Sequence, residues 1–337
     1  MSGRESRDGF LLDDPTKVRG WQLGKVTGDS ALGMARSYAA LIAFFVLFIV
    51  LSCTAPGFLE WGNLLNIASQ QSAVAIVACA GTLVIIAGNF DLSTGSVVAV
   101  TNVIAAYITV RTGSVWIGLL SAPITGLVLG TINGIIITYL RVHSFLATLA
   151  TSLVYSSLAV LITNGALISV SASGFDYLGD GDVGKIPVSV IVLAAFALII
   201  MFILNRTVTG RHIFAVGGNK EAATLSGVQV NLTHIKVMAL SGLASGIGGA
   251  ILASTILSGE PTQGSSVTLA SISAIILGGT SIYGGEGAVW RSLVGVFLLA
   301  LIGNGFDLLG ANQFYLDLVT GLVIVSAVAL AASGRRR

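Results

Sequence analysis

Residues 187–204 have the sequence PVSVIVLAAFALIIMFIL, a run without a single charged side chain. The hydrocarbon core of a bilayer is about 30 Å thick and is crossed by an α-helix of roughly 20 predominantly apolar residues. A run of this length and composition therefore predicts a membrane-spanning helix. Similar apolar runs, separated by Gly, Pro or charged residues, predict ten spans in all, at residues 37–54, 64–87, 95–110, 115–140, 144–164, 187–204, 236–257, 268–280, 288–305 and 314–332.

The composition of the whole chain is typical of a membrane protein. Of its 337 residues, 54% are hydrophobic and 9% are charged, whereas soluble domains carry about 25% charged residues. The formal net charge of +2 gives no support for nucleic-acid binding. Cys53 and Cys79 both lie in apolar runs, which indicates small packing side chains and implies neither a disulfide nor a metal cluster. The predicted fold class is all-α, a polytopic transmembrane helical bundle of about ten spans.

The predicted domain organisation is one membrane domain between two polar tails. Residues 1–36 form an amino-terminal cytoplasmic tail, residues 37–332 the transmembrane domain with a long connecting loop at 206–235, and residues 333–337 a basic cytoplasmic tail. The third and eighth spans are short for a full crossing and are flanked by Gly-rich connectors. Because irregular backbone at membrane depth is tolerated where it lines a cavity, these two spans are candidates for broken or half-crossing helices.

The distribution of Lys and Arg predicts the orientation, because cytoplasmic loops of membrane proteins are enriched in both. With the amino terminus placed inside and ten spans, fifteen of the 17 cationic residues fall on the inner side. Only Arg111 and Lys185 remain outside, and the outer loop after the fifth span carries several Asp residues instead. One span more or fewer would place the basic loops outside. Both termini are therefore expected to be cytoplasmic.

The longest inner loop, residues 206–235, contains the signals of a short helix. Asn219 is a suitable N-cap, Glu221 places a negative charge in the first turn, and Gly227 can adopt the left-handed conformation that ends a helix. These signals predict a two-turn helix over residues 220–226. An isolated helix of this length is marginal in water, so it is expected to pack on another surface. That surface is either a partner protein or the chain's own membrane domain.

The same loop resembles the coupling loop of bacterial ABC importer permeases. Glu221-Ala222-Ala223 followed by Gly227 is similar to their EAA-xxx-G sequence, and the string GRHIFAVGGNKEAATLSGV at residues 210–228 is similar to the ribose/xylose branch of that superfamily. In this family the loop is a helix that docks in a groove of a separate ATP-binding subunit. The ATPase-docking residues that the resemblance implies for this chain are Gly217, Gly218, Asn219, Lys220, Glu221, Ala222, Ala223 and Gly227.

A polar stretch, AGNFDLSTGS at residues 87–96, lies between the second and third spans. Asp91 is a functional candidate here, because a carboxylate within the membrane is costly unless it is paired or faces water. The structural alternative is that it caps the third helix, and both roles are compatible. The stretch resembles the family's GGIDLSVGS sequence, and ILGGTSIYGGEG at residues 276–287 resembles IGGTSLSGGRGS. The latter is not a P-loop, which requires Gly-Lys-Ser/Thr before a helix.

Polar and aromatic side chains at membrane depth are the candidates for a solute pathway. Amides in this setting bond to a neighbouring helix or face a polar cavity, where they suit hydroxylated neutral solutes. The candidates are Gln70, Gln71, Asn89, Asp91, Ser93, Asn133, Phe145 and Phe314, with Tyr155 as a further aromatic ring. Thr268 and Ala270 stand where the family commonly carries a Glu and an Asp, so the roles of those acids are not carried over to this chain.

The sequence favours the membrane subunit of a binding-protein-dependent importer in a bacterial cytoplasmic membrane, carrying a monosaccharide or similar small polyhydroxylated solute. The partners implied by the resemblance are an ATPase subunit that hydrolyses ATP, an extracytoplasmic solute-binding protein, a second permease copy or paralogue, and membrane lipid. The chain itself is expected to bind no cofactor, metal or nucleic acid. An ion-coupled secondary transporter is the alternative, and it depends on Asp91 alone. No paired acids or nucleophile–base pair indicates an intramembrane enzyme.

Overall fold

The computed structural model describes the backbone of residues 26–312, 314–316, 318–323 and 325, and the side chains from residue 39 onward within those ranges. The described chain is mainly helical, with a few two-residue strands. Its α-helices are α1 (Val26–Thr54), α2 (Trp61–Gln70), α3 (Ser72–Ile86), α4 (Thr94–Thr112), α5 (Val115–Tyr139), α6 (Ser144–Thr163), α7 (Val188–Arg206), α8 (Val208–Gly218), α9 (Lys220–Leu225), α10 (Val230–Ile256), α11 (Val267–Leu277) and α12 (Val289–Leu308).

The helices account for the predicted apolar segments without establishing that there are ten spans. Six of them are long and apolar enough to cross a membrane, or up to seven if the bent pair α2–α3 forms one span. Shorter apolar helices occupy the predicted first, eighth and tenth segments, at Ala39–Thr54, Val267–Leu277 and Phe314–Val323. The predicted tenth segment falls partly outside the described residues, and so do both predicted tails. The number of ten spans and the cytoplasmic termini stay predictions.

Two of the predicted spans differ from the structure. The second, predicted as one helix over 64–87, is broken at Gln71 with a bend of 52° between α2 and α3. Ser72 donates its hydroxyl hydrogen to the Ser69 carbonyl oxygen at 2.7 Å, and a hydroxyl that competes for backbone carbonyls in this way favours a bend. The third, predicted as short, is a helix of 19 residues, long enough for a full crossing. Arg111 had limited that prediction, yet its guanidinium packs over the Tyr107 ring within the helix.

The core of the bundle is built around α3 and α10. Nearly every side chain of α3 is buried, and α10 packs against α3, α4 and α5. Contact between α5 and α10 depends on small residues: a Cβ at Gly130 would collide with the backbone of α10 near Gly242, and a Cβ at Gly242 would collide with the backbone of α5. Close approach through small residues is how helices associate in a membrane, where burial of apolar surface supplies little driving force.

The two ends of the bundle have different structures. At the first, called the basic end below, a cavity is lined by residues from the α3–α4 connector, the α5–α6 connector, α8–α9 and the start of α10, among them Arg141 and Lys220. At the opposite end, β1 (Ile168–Ser169) pairs in antiparallel fashion with β4 (Ser258–Gly259). A second short pair joins β2 (Asp182–Val183) to β3 (Ile186–Pro187). Sequence elements predicted to lie on one side of the membrane thus lie at one end of the molecule.

After β4 the chain turns back into the bundle in a non-helical conformation. Gly259 lies against Val103 of α4, the Glu260 amide donates to Asn102 Oδ1 at 2.7 Å, and Gly264 lies against Gly95 near the start of α4. The chain then enters α11, an 11-residue helix too short for a full crossing. Residues 260–266, called the inward segment below, therefore run antiparallel to α4 along about half of its length.

Candidate functional site

Three glycine-containing segments meet at the basic end and form what is called the glycine junction below, made of Gly88, Gly217, Gly284 and Gly285. The Gly285 amide donates to the Ile86 carbonyl oxygen at 2.8 Å. A Cβ at Gly217 would collide with that same carbonyl, and a Cβ at Gly284 would press against the backbone of Gly217 and Gly88. Only glycine permits backbones to approach this closely. The two Gly-rich stretches found in the sequence therefore allow the end of α3 and the α11–α12 connector to pack against α8.

The predicted short helix of the 206–235 loop is present as α9. Asn219 caps its first turn, because its Oδ1 accepts a hydrogen bond from the Ala222 amide at 2.8 Å. Gly227 has φ +80°, and its amide donates to the Thr224 carbonyl oxygen while the Val228 amide donates to that of Ala223. These two bonds form a Schellman C-cap. Both capping signals in the sequence are confirmed.

The helix that precedes α9 was not predicted from the sequence. Residues 208–218 fall in what was predicted as loop, yet they form α8. Thr207 caps it by accepting a hydrogen bond from the Gly210 amide at 3.3 Å, and Ile213 and Val216 are buried. The three glycines of this stretch concealed the helix, because Gly is unfavourable in a helix interior. Thr207 followed by apolar residues three apart was the available signal.

One side of α9 contacts the chain's own domain and the other is exposed. Ala223 is buried against Val216 and Val230. Leu225 is 90% exposed, and a Cβ at Gly218 would meet no atom within 4 Å. The face of α9 that carries Leu225 is therefore open to contact with another molecule. The own-domain alternative drawn from the sequence applies to the face that carries Ala223, and a partner surface for the opposite face stays a prediction.

A polar cavity of about 560 Å³ lies beside α9 at the basic end. Its lining includes the cations Arg141 and Lys220, the imidazoles of His143 and His234, and the amide of Asn89. The Asn89 carboxamide and His234 Nδ1 are hydrogen-bonded to each other. No acidic side chain is found among the described lining residues. The pathway candidate Asn89 and the docking candidate Lys220 therefore share one basic cavity.

Asp91 is buried, and internal hydrogen bonds satisfy its carboxylate. Its Oδ1 accepts from the Ser93 amide at 3.0 Å and the Ser93 hydroxyl at 2.6 Å, and its Oδ2 accepts from the Ser241 hydroxyl of α10 at 2.7 Å. Ser93 Oγ accepts in turn from Asn133 Nδ2 at 2.7 Å, and the Tyr155 hydroxyl donates to Asn133 Oδ1 at 3.0 Å. These side chains join α4, α5, α6 and α10. The group of Asp91, Ser93, Asn133, Tyr155 and Ser241 is called the Asp91 network below.

The Asp91 network brings together three of the predicted pathway residues through hydrogen bonds, and their role in a pathway stays a prediction. Asp91, Ser93 and Asn133 are each less than a tenth exposed, and Asp91 also lines a small cavity of about 10 Å³ between α3, α4 and α11. The backbone of the connector is satisfied as well, since the Phe90 amide donates to Ser144 Oγ at 3.1 Å and the Leu92 amide to Thr148 Oγ1 at 3.0 Å. Buried polar networks of this kind fix the relative positions of helices.

The other predicted pathway residues lie apart from this network. Gln70 is exposed and bonds to Asn66 of its own helix, and Gln71 forms the break between α2 and α3. Phe145, at the start of α6, is 43% exposed, and Phe314 is 81% exposed. These four residues are not assembled into one site within the described chain.

Thr268 has a specific partner. Its Oγ1 accepts a hydrogen bond from the Gly95 amide at 2.8 Å and contacts Thr94 Oγ1 at 3.1 Å. Free amides at a helix start are commonly satisfied by a hydroxyl oxygen, although here the hydroxyl comes from another helix. Thr268 of α11 thus caps α4 across the bundle, a contact that the sequence did not reveal.

Sequence analysis also missed Glu260, the carboxylate that begins the inward segment. It is half-buried beside the middle of α4, and its Oε1 accepts from the Thr262 hydroxyl at 2.7 Å. Thr262, Ser265 and Ser266 are exposed. The available signal was an acid followed by Pro261 in the polar interval between the seventh and eighth predicted spans.

The comparisons with known proteins agree with the sequence motifs and the helical fold. Residues 63–328 match the family described as branched-chain amino acid transport system, permease component. The chain is 37% identical over 308 residues to the ribose import permease protein of Bacillus subtilis (strain 168). The aligned part covers 88% of this chain and 93% of that protein.

Two further relatives come from Escherichia coli (strain K12). Its ribose import permease protein is 36% identical over 86% of this chain and 91% of its own length. Its L-arabinose transport system permease protein is 35% identical over 86% of this chain and 89% of its own length. No solved structure matches the chain. With the coupling-loop motif, the multi-pass helices and these relatives, the chain belongs to the permease subunits of ABC sugar importers of the ribose/xylose type.

Proposed function

We propose that this chain forms the solute pathway of a binding-protein-dependent importer and that a separate ATPase subunit drives it by binding α9. The observation that carries the proposal is that α9 has an exposed face, with Leu225 at 90% exposure, while Ala223 on its other face packs against Val216 of α8, the helix that contributes Gly217 to the glycine junction. A short helix held in this way can receive a partner on one side and transmit its movement on the other.

The transmission follows from the packing at the glycine junction. Gly217 is the penultimate residue of α8, two residues before the cap of α9, and its backbone contacts the Ile86 carbonyl and the Gly285 amide. Because such close-packed backbone contacts cannot be compressed, a displacement of α9 that moves α8 must also move the end of α3 and the α11–α12 connector. The end of α3 leads directly to Asp91, and the connector leads to the inward segment through α11. Closure of an ATPase pair beneath the membrane would thus change the packing of the pathway.

The proposed solute is a monosaccharide or a similar small polyhydroxylated molecule, moved into the cytoplasm of a bacterium across its inner membrane. The relatives named for ribose and L-arabinose support this class. The proposed assembly contains two permeases, identical or paralogous, two ATPase subunits that hydrolyse ATP, and an extracytoplasmic solute-binding protein. The ion-coupled alternative loses its support, since the Asp91 carboxylate is engaged by Ser93 and Ser241 and is buried.

The exposed face of α9 provides the direct test. In the complete transporter, Leu225→Ala is expected to weaken ATPase binding by roughly 2 kcal/mol, about thirtyfold, because a buried apolar anchor at an interface has that magnitude. Co-purification of the ATPase subunit and ATP-driven uptake are the measurements. Thr224→Ala on the same helix is the matched control, because Thr224 is also exposed but its hydroxyl bonds only to the Lys220 carbonyl oxygen. Undiminished co-purification in Leu225→Ala would contradict the docking proposal.

The adjacent glycines separate docking from transmission. Gly218→Ala introduces a methyl group into open space within this chain, so any loss of ATPase binding in that variant reports a contact made by the partner. Gly217→Ala forces apart the glycine junction instead. The expected result for Gly217→Ala is retained ATPase binding with impaired uptake, whereas Glu221 substitutions that weaken α9 are expected to uncouple transport with normal membrane insertion.

A further inference from the structure

The inward segment is unusual because it is non-helical backbone beside the middle of a membrane-spanning helix. Its contacts with α4 begin at Val103, opposite Gly259, and end at Gly95, opposite Gly264. At a rise of 1.5 Å per residue, these positions differ by about 12 Å along the α4 axis. Since α4 is long and apolar enough to cross the membrane, the inward segment lies at membrane depth rather than on the surface.

The exposed side of the inward segment is polar. Thr262, Ser265 and Ser266 are exposed, and Glu260 and Gln263 are partly exposed. Irregular backbone within the hydrocarbon region is tolerated only where protein covers it or where it lines a water-filled space, and carboxylates at this depth are likewise rare on the lipid side. The exposed face of the segment therefore does not contact lipid tails.

A neighbouring amide has an unused hydrogen-bond donor. Asn102 is fully buried, and its Oδ1 accepts from the Glu260 amide. Its Nδ2 has no hydrogen-bond partner among the described residues. A buried donor without a protein partner is uncommon, and a bound polar molecule is one way to satisfy it. The orphan donor and the exposed hydroxyls thus occur in the same part of the bundle.

We propose that the inward segment lines the solute pathway and that Glu260 accepts hydrogen bonds from hydroxyl groups of the passing solute. This inference rests on the proposed transport function and adds the residues of the pathway to it. A carboxylate offers two acceptor oxygens, of which only Oε1 is bonded among the described residues, to Thr262. Adjacent hydroxyls that both donate and accept suit a neutral polyhydroxylated solute.

Water accessibility tests the proposal without knowledge of the solute. Single cysteines replace Thr262 and Ser265 in a full chain that also carries Cys53→Ser and Cys79→Ala, and a membrane-impermeant cationic thiosulfonate reagent is applied to the permease in proteoliposomes. Leu153→Cys is the control, because Leu153 in the middle of α6 is 69% exposed and apolar. The variants T262C and S265C are expected to react at least about tenfold faster than L153C, because the reactive thiolate forms only in contact with water. Equal rates would overturn the proposal.

The charge of Glu260 is tested in the same system. Glu260→Gln keeps the shape and the backbone bond to Asn102 but removes the carboxylate. The measured quantity is the rate at which S265C reacts with a cationic thiosulfonate divided by its rate with an anionic one. If Glu260 faces the pathway, Glu260→Gln lowers this ratio by about threefold or more. An unchanged ratio would show that the carboxylate faces elsewhere.

The labelling and docking experiments fail independently. The labelling measurements use neither the ATPase nor the binding protein, so they hold or fail regardless of α9. Fast labelling with normal ATPase binding in Leu225→Ala would retain the pathway and reject the docking site. Slow labelling with lost ATPase binding in Leu225→Ala would retain the docking site and reject the pathway.

Discussion

Two carboxylates within the described bundle, Asp91 and Glu260, have opposite surroundings. Asp91 is buried, and it accepts from the amide and hydroxyl of Ser93, the residue before α4, and from the hydroxyl of Ser241 in α10. Glu260 is half-buried, receives one hydroxyl from its own segment, and begins an exposed polar stretch. The difference teaches that an acid at membrane depth identifies a polar environment, but that its partners decide whether the environment is structural or functional.

The same contrast extends to the elements around each carboxylate. Asp91 belongs to the closely packed group of α4, α5 and α10, where small residues and polar side chains lock the helices together. Glu260 belongs to a segment that is fixed along one edge by α4 and is free along the other. If the inward segment lines the pathway as proposed, a rigid scaffold and the pathway lie side by side, as expected of a transporter in which irregular backbone lines a cavity.

The largest expected effect breaks the Asp91 network. Asp91→Ala leaves the Ser93 amide and the hydroxyls of Ser93 and Ser241 without an acceptor in a buried site, so we expect a loss of about 3 kcal/mol in the free energy of unfolding. Glu260→Ala is the matched control, with an expected change within about 0.5 kcal/mol, because its neighbours can bond to water. Thermal unfolding of both variants in the same detergent is the measurement. Equal destabilisation would remove the distinction between the two carboxylates.

The next effect tests the scaffold by its helix packing. Gly130→Ala places a methyl group against the backbone of α10, and overpacking of this kind is expected to cost about 2 kcal/mol. Gly303→Ala on α12 is the control, since a Cβ there meets no atom within 4 Å and Ala favours the helix. The unfolding temperatures of the two variants should shift in opposite directions. A stable Gly130→Ala variant would show that the α5–α10 contact is looser than described.

The smallest effect concerns the contact between the scaffold and α11. Thr268→Val removes the hydroxyl oxygen that accepts from the Gly95 amide, and the loss of a cap costs about 1 kcal/mol. Thr131→Val on α5 is the comparison, because the Thr131 hydroxyl donates to the Leu127 carbonyl oxygen of its own helix. Thermal unfolding again measures both. Identical shifts would mean that Thr268 does not cap α4.

The sequence predicted those features that depend on local rules. Apolar length located the helices that are long and apolar enough to cross a membrane, and side-chain capping located α9 from Asn219 and Gly227. The break at Gln71 and the helix α8 were missed, because a hydroxyl–carbonyl bond in one case and tertiary packing of glycines in the other overrode the local preferences.

The site was less predictable than the fold. Asp91 attracted attention as an acid in an apolar region, yet its bond to Ser241 joins residues 150 positions apart, and no local pattern reveals it. Glu260 escaped attention because a short polar interval between apolar runs is indistinguishable from an external loop. Only its contact with Asn102, in the middle of α4, places it at membrane depth.

Carboxyl footprinting of the unmodified full chain in membranes tests the contrast most directly. A water-soluble carbodiimide with an amine nucleophile converts accessible carboxyl groups to amides, and mass spectrometry measures the extent at each residue, with the exposed Glu221 and Asp182 as references. We expect Glu260 to be modified to an extent comparable with the references and Asp91 to stay unmodified. Modification of Asp91 in the folded protein, or complete protection of Glu260, would contradict the account.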